Sequence, residues 1–522
     1  MIRRFFGITI ILVWSAGIHL YAGEEAEKSI SLSLQECIAK AMEHNLGVAV
    51  ELLTPQSKEY GVSRAKEKFL PALSLDTYFT DQEQASYSFL DAAGVLQTRY
   101  NQYSMNIDQR IPTGGQFTLS LESSRYDTNR TGITVNPSFR SELRFNFTQP
   151  LLKNFGTTMA RREILVAQTN RDVSEEELKR ALQNTVYRVE EAYWNLVFAV
   201  ENLEVSRLSL KLAQDLLEKN KRAVEVGTMA PIEIVSAQAQ VASREASILA
   251  AEAEVKNSED RLKLITNLSA DTPKADQLAI IPSDEPLYEY KEIDLKEAVA
   301  TALQNRPDLK SARLGLENYT LNLKYAKNQL LPSLDLRASY WSPGVSGDQL
   351  ILNPDNPFGP PIATIPGGRS ESLKDVFGLN FKNWSIGVTL DFPLNTLVSR
   401  AAEAQAQVDL EQALLRVKNQ EQQIYTDIKI AVRDVATDFK RINALKIARE
   451  LAEKQLKAEE EKLKVGLSTN FVVLSYQNEL ASAQSQEISA IIDHMLSLAR
   501  LKRDLGTNLE DRRIRLSGFL KQ

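Results

Sequence analysis

Few side chains in this 522-residue sequence are of the kinds that do chemistry. Beyond the first 22 residues there are two histidines, His44 and His494, and a single cysteine, Cys37. None of them has the close spacing that a metal site needs. No Gly-x-x-x-x-Gly-Lys loop is present to cradle a phosphate, and Gly114-Gly115 and Gly367-Gly368, which lack a following Lys-Ser/Thr, read as turns. Carboxylates do cluster, at Glu190-Glu191 and at Glu459-Glu460-Glu461, and paired carboxylates are the apparatus of general acid and base catalysis. Both clusters, however, lie in heptad-patterned segments, where charge runs read as solvated helix faces. Tyr78, Tyr100, Tyr103, Tyr340, Trp341 and Trp384 would suit a ligand platform, yet on strands of alternating polarity they read as an interfacial aromatic girdle. The residues point away from catalysis, and no cofactor or metal is expected.

The elements that carry these residues begin with a leader. Arg3 and Arg4, the apolar run Phe5 to Ile18 and the small pair Ala22-Gly23 predict a secretory signal over residues 1–22. No later apolar run approaches the roughly 20 residues a spanning helix needs, so any membrane insertion must use strands. One cysteine excludes an internal disulfide, and Cys37 lies too far downstream to carry a lipid anchor at the cleavage site. The formal charge of −6 becomes −8 once Arg3 and Arg4 are lost, which disfavours nucleic acid as a partner.

Self-comparison shows a tandem repeat. Leu34-Gln-Glu-Cys-Ile-Ala-Lys-Ala returns as Leu295-Lys-Glu-Ala-Val-Ala-Thr-Ala, and the Leu-Pro at Leu70-Pro71 returns at Leu331-Pro332, both at an offset of 261. Val226-Gly-Thr matches Val465-Gly-Leu at an offset of 239, so the first copy holds 22 more residues between the matches. In each copy an amphipathic helix stops at the Leu-Pro, because proline lacks an amide donor and forces its predecessor extended. Period-two segments follow, four in the first copy and two in the second: Leu73 to Phe79, Tyr103 to Ile107, Phe117 to Leu121, Leu143 to Phe147, Leu334 to Tyr340 and Trp384 to Phe392. Residues Ser342 to Ser372, rich in proline and glycine, read as a mobile external loop, and Asn267 to Asp294 as an irregular linker.

After Pro150 and Pro393 the period becomes seven. Leu182, Val189, Leu196, Leu203, Leu210, Leu217 and Val224 form one seam. Its second-copy counterpart is Glu421, Ile428, Val435, Ile442, Arg449, Leu456 and Leu463. Thr185, Ala192, Ala199, Ser206 and Ala213 lie three residues on and allow close backbone approach. With no proline from about Arg161 to Val226, the predicted helix is roughly 100 Å long. Gly227, ahead of Pro231, suits the left-handed end of that helix and a hairpin tip. The returning helix carries its own seam of Ile234, Val241, Ile248, Val255 and Leu262, and Gly466 to Asn470 supplies the second tip. Four to six strands cannot close a barrel alone, so several chains must share one.

This order of elements, repeated twice, resembles the TolC family of outer-membrane efflux proteins over nearly the whole mature chain. The carriers are Leu34 to Ala41, Pro71 and Pro332, Gln149-Pro150-Leu151, Phe392-Pro393-Leu394, and the glycines Gly227 and Gly466. The resemblance implies a mixed α+β membrane protein: a homotrimer whose protomers share an outer-membrane β-barrel, continued by a long periplasmic α-helical coiled-coil barrel. It implies a first repeat over 23–266, with strands at about 72–149 and a helical hairpin at about 157–266. A linker over 267–294 leads to a second repeat over 295–509, with strands at about 333–392 and a hairpin at about 399–505, then a tail over 510–522. It also implies an exit duct of a tripartite efflux or type I secretion system, set in outer-membrane lipid. Gly227, Thr228, Gly466 and Ser468 would dock a periplasmic adaptor linked to an inner-membrane pump of RND, ABC or MFS type. The entrance positions that carry an acidic ring in the best-known members are Val472 and Ser475, with Glu233 at the matching first-copy position. The longer first copy leaves 12 or 18 barrel strands open. A periplasmic adaptor would hold one hairpin, and a trimeric adhesin one continuous stalk, so the interleaved pattern disfavours both alternatives.

Overall fold

The computed structural model describes residues 29–86, 94–268, 278–289, 292–356 and 359–514. The predicted leader lies outside the described residues, as do 269–277 and 290–291 of the linker and 515–522 of the tail. In chain order the elements are β1 (Ser29–Leu32), α1 (Leu34–His44), α2 (Leu46–Glu67), β2 (Ala72–Ala85), β3 (Val95–Arg110), β4 (Gln116–Thr128) and β5 (Val135–Pro150). Then come α3 (Thr157–Ala160), α4 (Arg162–Glu225), α5 (Ile232–Thr266), β6 (Ala279–Pro282), α6 (Leu295–Asn305) and α7 (Pro307–Gln329). The chain ends with β7 (Ser333–Ile351), β8 (Ala363–Ile365), α8 (Arg369–Phe377), β9 (Asn383–Asp391), α9 (Leu397–Lys464), α10 (Asn470–Leu505) and α11 (Asn508–Asp511).

Two compact units result, each drawing on both sequence copies. One takes Met1–Asn45, Arg188–Leu287 and Asn443–Ile492, the other Leu46–Tyr187, Tyr288–Ile442 and Asp493–Gln522. Within the first, α1 opens with a capping box: Ser33 Oγ accepts from the Glu36 amide at 3.3 Å, and Glu36 accepts from the Ser33 amide at 2.8 Å. The linker is not wholly irregular, since β6 pairs in parallel with β1. A four-residue strand offers too little alternation to be read locally. The buried Tyr193 of α4 fixes this pair, donating to Asp284 Oδ2 at 2.9 Å and to the Leu32 carbonyl at 3.2 Å. Burial pushes its hydroxyl up to about 12, so it stays a donor at neutral pH. Further along this unit, Leu216 of α4, Ala452 and Leu456 of α9, and Val473, Leu474 and Leu480 of α10 form one core. The hairpin helices of the two copies thus share buried surface.

The predicted long helices form without interruption, 64 residues in α4 and 68 in α9. Leu182, Val189 and Leu196 are fully buried, and Ala192, Ala199 and Ala213 lie inside with them. The two polar members of the second seam each have an ion partner. Glu421 meets Arg313 at 2.8 Å, and Arg449 meets Glu487 of α10 at 2.5 Å. On α5 the seam turns out differently: Leu262 is fully buried, but Ile234, Val241, Ile248 and Val255 are only half-buried. The heptad line it buries is Ala237, Arg244, Ala251 and Ser258, of which the three small residues let backbones approach and Arg244 is the one long side chain. Glu190 also departs from the solvated-face reading, because it is buried.

The second unit holds the main sheet, ordered β2-β3-β4-β5-β7-β8 with β9 beside β7. The strands of the two copies join at the antiparallel pair β5 and β7. Strand pattern starts where the prolines predict, β2 just after Pro71 and β7 just after Pro332. Register gathers the apolar side chains on one face, from Leu73 and Ile107 through Leu119, Phe145 and Tyr340 to Trp384. Alternation divides the expected girdle: Tyr103, Tyr340 and Trp384 lie on this face, whereas Tyr78, Tyr100 and Trp341 lie on the polar one. The stretch 342–372 is not a simple loop, since β7 continues to Ile351 and α8 begins at Arg369. Pro343 is tolerated because β7 is paired there on one side only, β9 ending opposite Trp341 and β8 beginning opposite Gln349. The glycines serve close approach: a Cβ on Gly344 would overlap the Ser372 carbonyl oxygen of α8, and one on Gly367 the Gly347 carbonyl oxygen. The same unit packs Ala298, Ala302 and Leu309 of α6 and α7 against Val417, Ile424 and Ile428 of α9.

Candidate functional site

Both hairpin tips are built from the same backbone device. After α4 ends, Gly227 takes φ 76°, its amide donates to the Val224 carbonyl at 3.0 Å, and the Thr228 amide reaches the Ala223 carbonyl at 2.9 Å. After α9, Gly466 takes φ 79°, with its amide on the Leu463 carbonyl at 3.1 Å and the Leu467 amide on the Lys462 carbonyl at 2.9 Å. These are Schellman closures, in which a left-handed residue satisfies the last helical carbonyls. A Cβ would meet nothing within 4 Å at either glycine, so only backbone conformation demands them. Gly227→Ala and Gly466→Ala are each expected to cost about 1 kcal/mol, read as a lowered melting temperature of the folded protein.

The side chains of the tips are tied down locally and to each other. Thr228 Oγ1 donates to the Ala223 carbonyl at 2.9 Å. Ser468 Oγ donates to Glu459 Oε1 at 2.5 Å, and Lys462 donates to Glu459 Oε2 at 2.9 Å. These two donors hold the Glu459 carboxyl below the usual carboxylate range. Glu233 does not stand alone: the buried Asn470 of α10 donates to Glu233 Oε2 at 3.1 Å, linking the first tip to the second. Farther from the tips, the buried Arg244 of α5 donates to the Ser209 carbonyl at 2.5 Å and to Asn478 Oδ1 at 2.9 Å. Ser485 donates to Asn202 Oδ1 at 2.7 Å. Val472 and Ser475 follow Asn470 on α10, half-buried and exposed respectively.

Sequence reasoning missed the apolar side chains around the glycines. Val226, Ile232, Val465, Leu467 and Phe471 are all strongly exposed. Their signal was legible, because a run of valine, isoleucine and phenylalanine at a helix turn has nothing local to pack against.

The polar face of the sheet carries Asp108, Thr118, Arg144, Glu142 and Asn146. Arg144 Nε donates to Glu142 Oε1 at 2.6 Å, and Ser339 Oγ to Asn146 Oδ1 at 2.8 Å. The face is hydrophilic and internally hydrogen-bonded. Among the described residues no cluster of metal-ligating side chains occurs, and no helix is long and apolar enough to cross a membrane.

His494 of α10 is buried beside Phe439, with ring centroids 5.9 Å apart. Burial lowers its pKa, against the opposing pull of Asp438. A base whose folded pKa is depressed stays neutral in the fold while the unfolded chain takes up a proton. Stability is therefore complete above the unfolded value of about 6.5 and falls as pH drops below it, by at most about 1.4 kcal/mol per pH unit. Melting between pH 7 and pH 5 checks this, and His494→Gln is expected to flatten the dependence.

The family model described as outer membrane efflux protein matches residues 109–268 and 298–507. The chain is 24% identical over 431 residues to outer membrane protein TolC of Vibrio cholerae serotype O1, covering 78% of this chain and 90% of that protein. It superposes on the Campylobacter jejuni CmeC outer membrane channel with a TM-score of 0.64 at 15% identity, covering 93% of this chain and 90% of that one. Superposition on the outer membrane protein VceC from Vibrio cholerae gives a TM-score of 0.62 at 17% identity, over 91% of this chain and 96% of that one.

Proposed function

The chain belongs to the outer membrane efflux protein family, channels of the outer membrane that extend into the periplasm, and on that premise we propose that three copies form the exit duct of a tripartite efflux or type I secretion assembly. The observation that carries this reading is the open sheet. Its six long strands present one apolar and one polar face, and β2 at its edge is exposed along its whole length. A membrane-spanning sheet cannot leave edge amides and carbonyls unpaired in lipid. Six strands from each of three copies make 18, closing a barrel with the apolar face on lipid and the polar face on a water-filled lumen. Residues 23–266 and 295–509 are then two versions of one duct-forming repeat, joined by 267–294, preceded by the leader and followed by the tail.

Gly227, Thr228, Gly466 and Ser468 shape the tips at which a periplasmic adaptor docks, and the exposed Val226, Ile232, Leu467 and Phe471 supply apolar contact area. Adaptor hairpins entering between the tips part them, breaking the Glu233 to Asn470 bond, and the entrance beside Val472 and Ser475 opens. An inner-membrane pump of RND, ABC or MFS type supplies the energy and chooses the cargo. Leu467→Glu is expected to weaken adaptor binding about tenfold or more, as loss of a central apolar anchor does, measured by titration of the purified partners.

Single-particle imaging of the purified protein tests the architecture, and planar-bilayer conductance tests the gate. A three-fold hollow tube whose conductance rises on adding the cognate adaptor is the expected pair of results. A monomer, or a conductance indifferent to the adaptor, would overturn the duct or its gating respectively.

A further inference from the structure

The apolar face of the sheet stops short of the height a membrane requires. On β7 it reads Leu334, Leu336, Ala338 and Tyr340, then Ser342 and Gly344. Strand from 334 to 340, at about 3.3 Å per residue and tilted by about 40°, covers roughly 15 Å, whereas the apolar band of a membrane barrel is about 25 Å tall. The register extends this break to β4 and β5, whereas β3 carries Tyr103 at the same level. Leu121 and Leu143 lie level with Ser342, and the next level is Ser123, Ser141 and Gly344. Farther along the same face come ion pairs, Arg99 with Asp81 at 3.1 Å and Arg125 with Asp127 at 2.8 Å, which mark an aqueous edge.

Between the apolar band and that edge lies α8. Ser372 and Ser141 share a hydrogen bond of 2.9 Å between their hydroxyls, and Ser141 donates to Ser123 at 3.0 Å. Ser372 and Val376 are fully buried, and the Arg369 guanidinium sits 4.6 Å from the Tyr103 ring centre. The free side of the segment is divided. Ser370, Glu371 and Lys374 are exposed polar residues, while Phe377, Leu379 and Phe381 expose apolar surface, as do Trp384, Ile386, Val388 and Leu390 of β9, the first of them three residues on. Leu379 takes φ 51°, the left-handed place after a helix that glycine ordinarily fills, with its amide on the Val376 carbonyl at 3.2 Å. A leucine is unfavourable there both in backbone and in water, and lipid relieves the second penalty.

We propose that α8 and the turn behind it form an interfacial foot in the outer leaflet of the outer membrane. Phe377, Leu379 and Phe381 enter the acyl chains, and Glu371 and Lys374 stay at the headgroup level, as in a helix lying in a membrane interface. The foot completes the apolar band where the strands carry serine and glycine. Lipid is the occupant because the exposed apolar residues 377, 379 and 381 lead within three residues into the exposed apolar side chains of β9, and the charged Glu371 and Lys374 precede them. The inference rests on the reading that the apolar sheet face meets lipid.

Spin labelling of the full-length protein in phosphatidylcholine and phosphatidylglycerol liposomes tests it. Labels are placed one at a time at Phe377→Cys, Phe381→Cys, Glu371→Cys and Ile386→Cys. Cys37 stays unlabelled, being buried with its thiol pushed up to about 12. Accessibility to oxygen, which partitions into lipid, is compared with that to a water-soluble nickel chelate. The expected result is an oxygen-to-nickel ratio at 377 and 381 severalfold above that at 371 and close to that at 386. If 386 reads as lipid while 377 and 381 follow 371, the foot is overturned and the lipid-facing sheet stands. If 386 also follows 371, the lipid-facing sheet falls and the foot with it.

Discussion

Gly344→Leu is expected to unseat α8 from the sheet and to cost about 2–3 kcal/mol, the penalty of forcing a side chain into closed packing. At Gly344 a Cβ would overlap a backbone carbonyl oxygen, that of Ser372, and would press on Asp375 Cβ at 3.1 Å. Neither atom is the far end of a flexible side chain, so the strain can be relieved only by moving the helix. Once α8 moves, the hydroxyl bond between Ser141 and Ser372 breaks and two buried serines lose a partner. Gly387→Ala, on β9 with no atom within 4 Å of its Cβ, is the matched control and is expected to be close to neutral. Thermal melting of both variants in detergent gives the comparison. Equal melting temperatures would mean that α8 is not seated where Gly344 lies.

Arg244→Ala is expected to produce the largest change in the hairpin region, about 3 kcal/mol, since it removes a buried cation, its hydrogen bonds and much of its packing volume together. The guanidinium ties α5 to two other helices, α4 through Ser209 and α10 through Asn478. Desolvation lowers its pKa, consistent with partners that are a carbonyl, a hydroxyl and an amide. Arg244→Met keeps the apolar stem and removes the buried charge, so it should recover a good part of the loss. If the hairpins open by separating, the alanine variant should also raise single-channel conductance without adaptor, and the methionine variant less so. Melting temperature and bilayer conductance of both variants read the two effects separately. Unchanged values in both would remove Arg244 from any role in holding the hairpins together.

Much of the architecture was legible in the sequence because its causes are local. Proline pushes its predecessor out of the helical region, so the Leu-Pro pairs at Pro71 and Pro332, each followed by alternating residues, announced β2 and β7. A left-handed residue after a helix favours glycine, so Gly227 and Gly466 announced the tips, and their φ values of 76° and 79° follow from the same rule. Period two and period seven separated strands from long helices, and the internal offset showed that the pattern occurs twice. Of the candidate site, the tips were legible in this way; their exposed apolar rims were legible but overlooked, and the bond between Glu233 and Asn470 was not legible, because its partners lie 237 residues apart in the chain.

What the tertiary structure alone decided depends on residues far apart in the chain. α5 carries two heptad lines, one apolar and one of small residues broken by Arg244, and only packing selects the line of Ala237, Arg244, Ala251 and Ser258 for burial. β1 and β6 are too short to show a period and exist because they pair with each other across the first repeat. Glu233 and Asn470 meet because hairpin helices from the two copies share a core. The glycines of 342–372 looked like mobility in one dimension, and in three dimensions they are the places where α8 and β7 approach too closely for a side chain. Local chemistry fixes where the chain must bend and which faces are apolar, whereas the choice among apolar and small faces is made by the neighbour that each one meets.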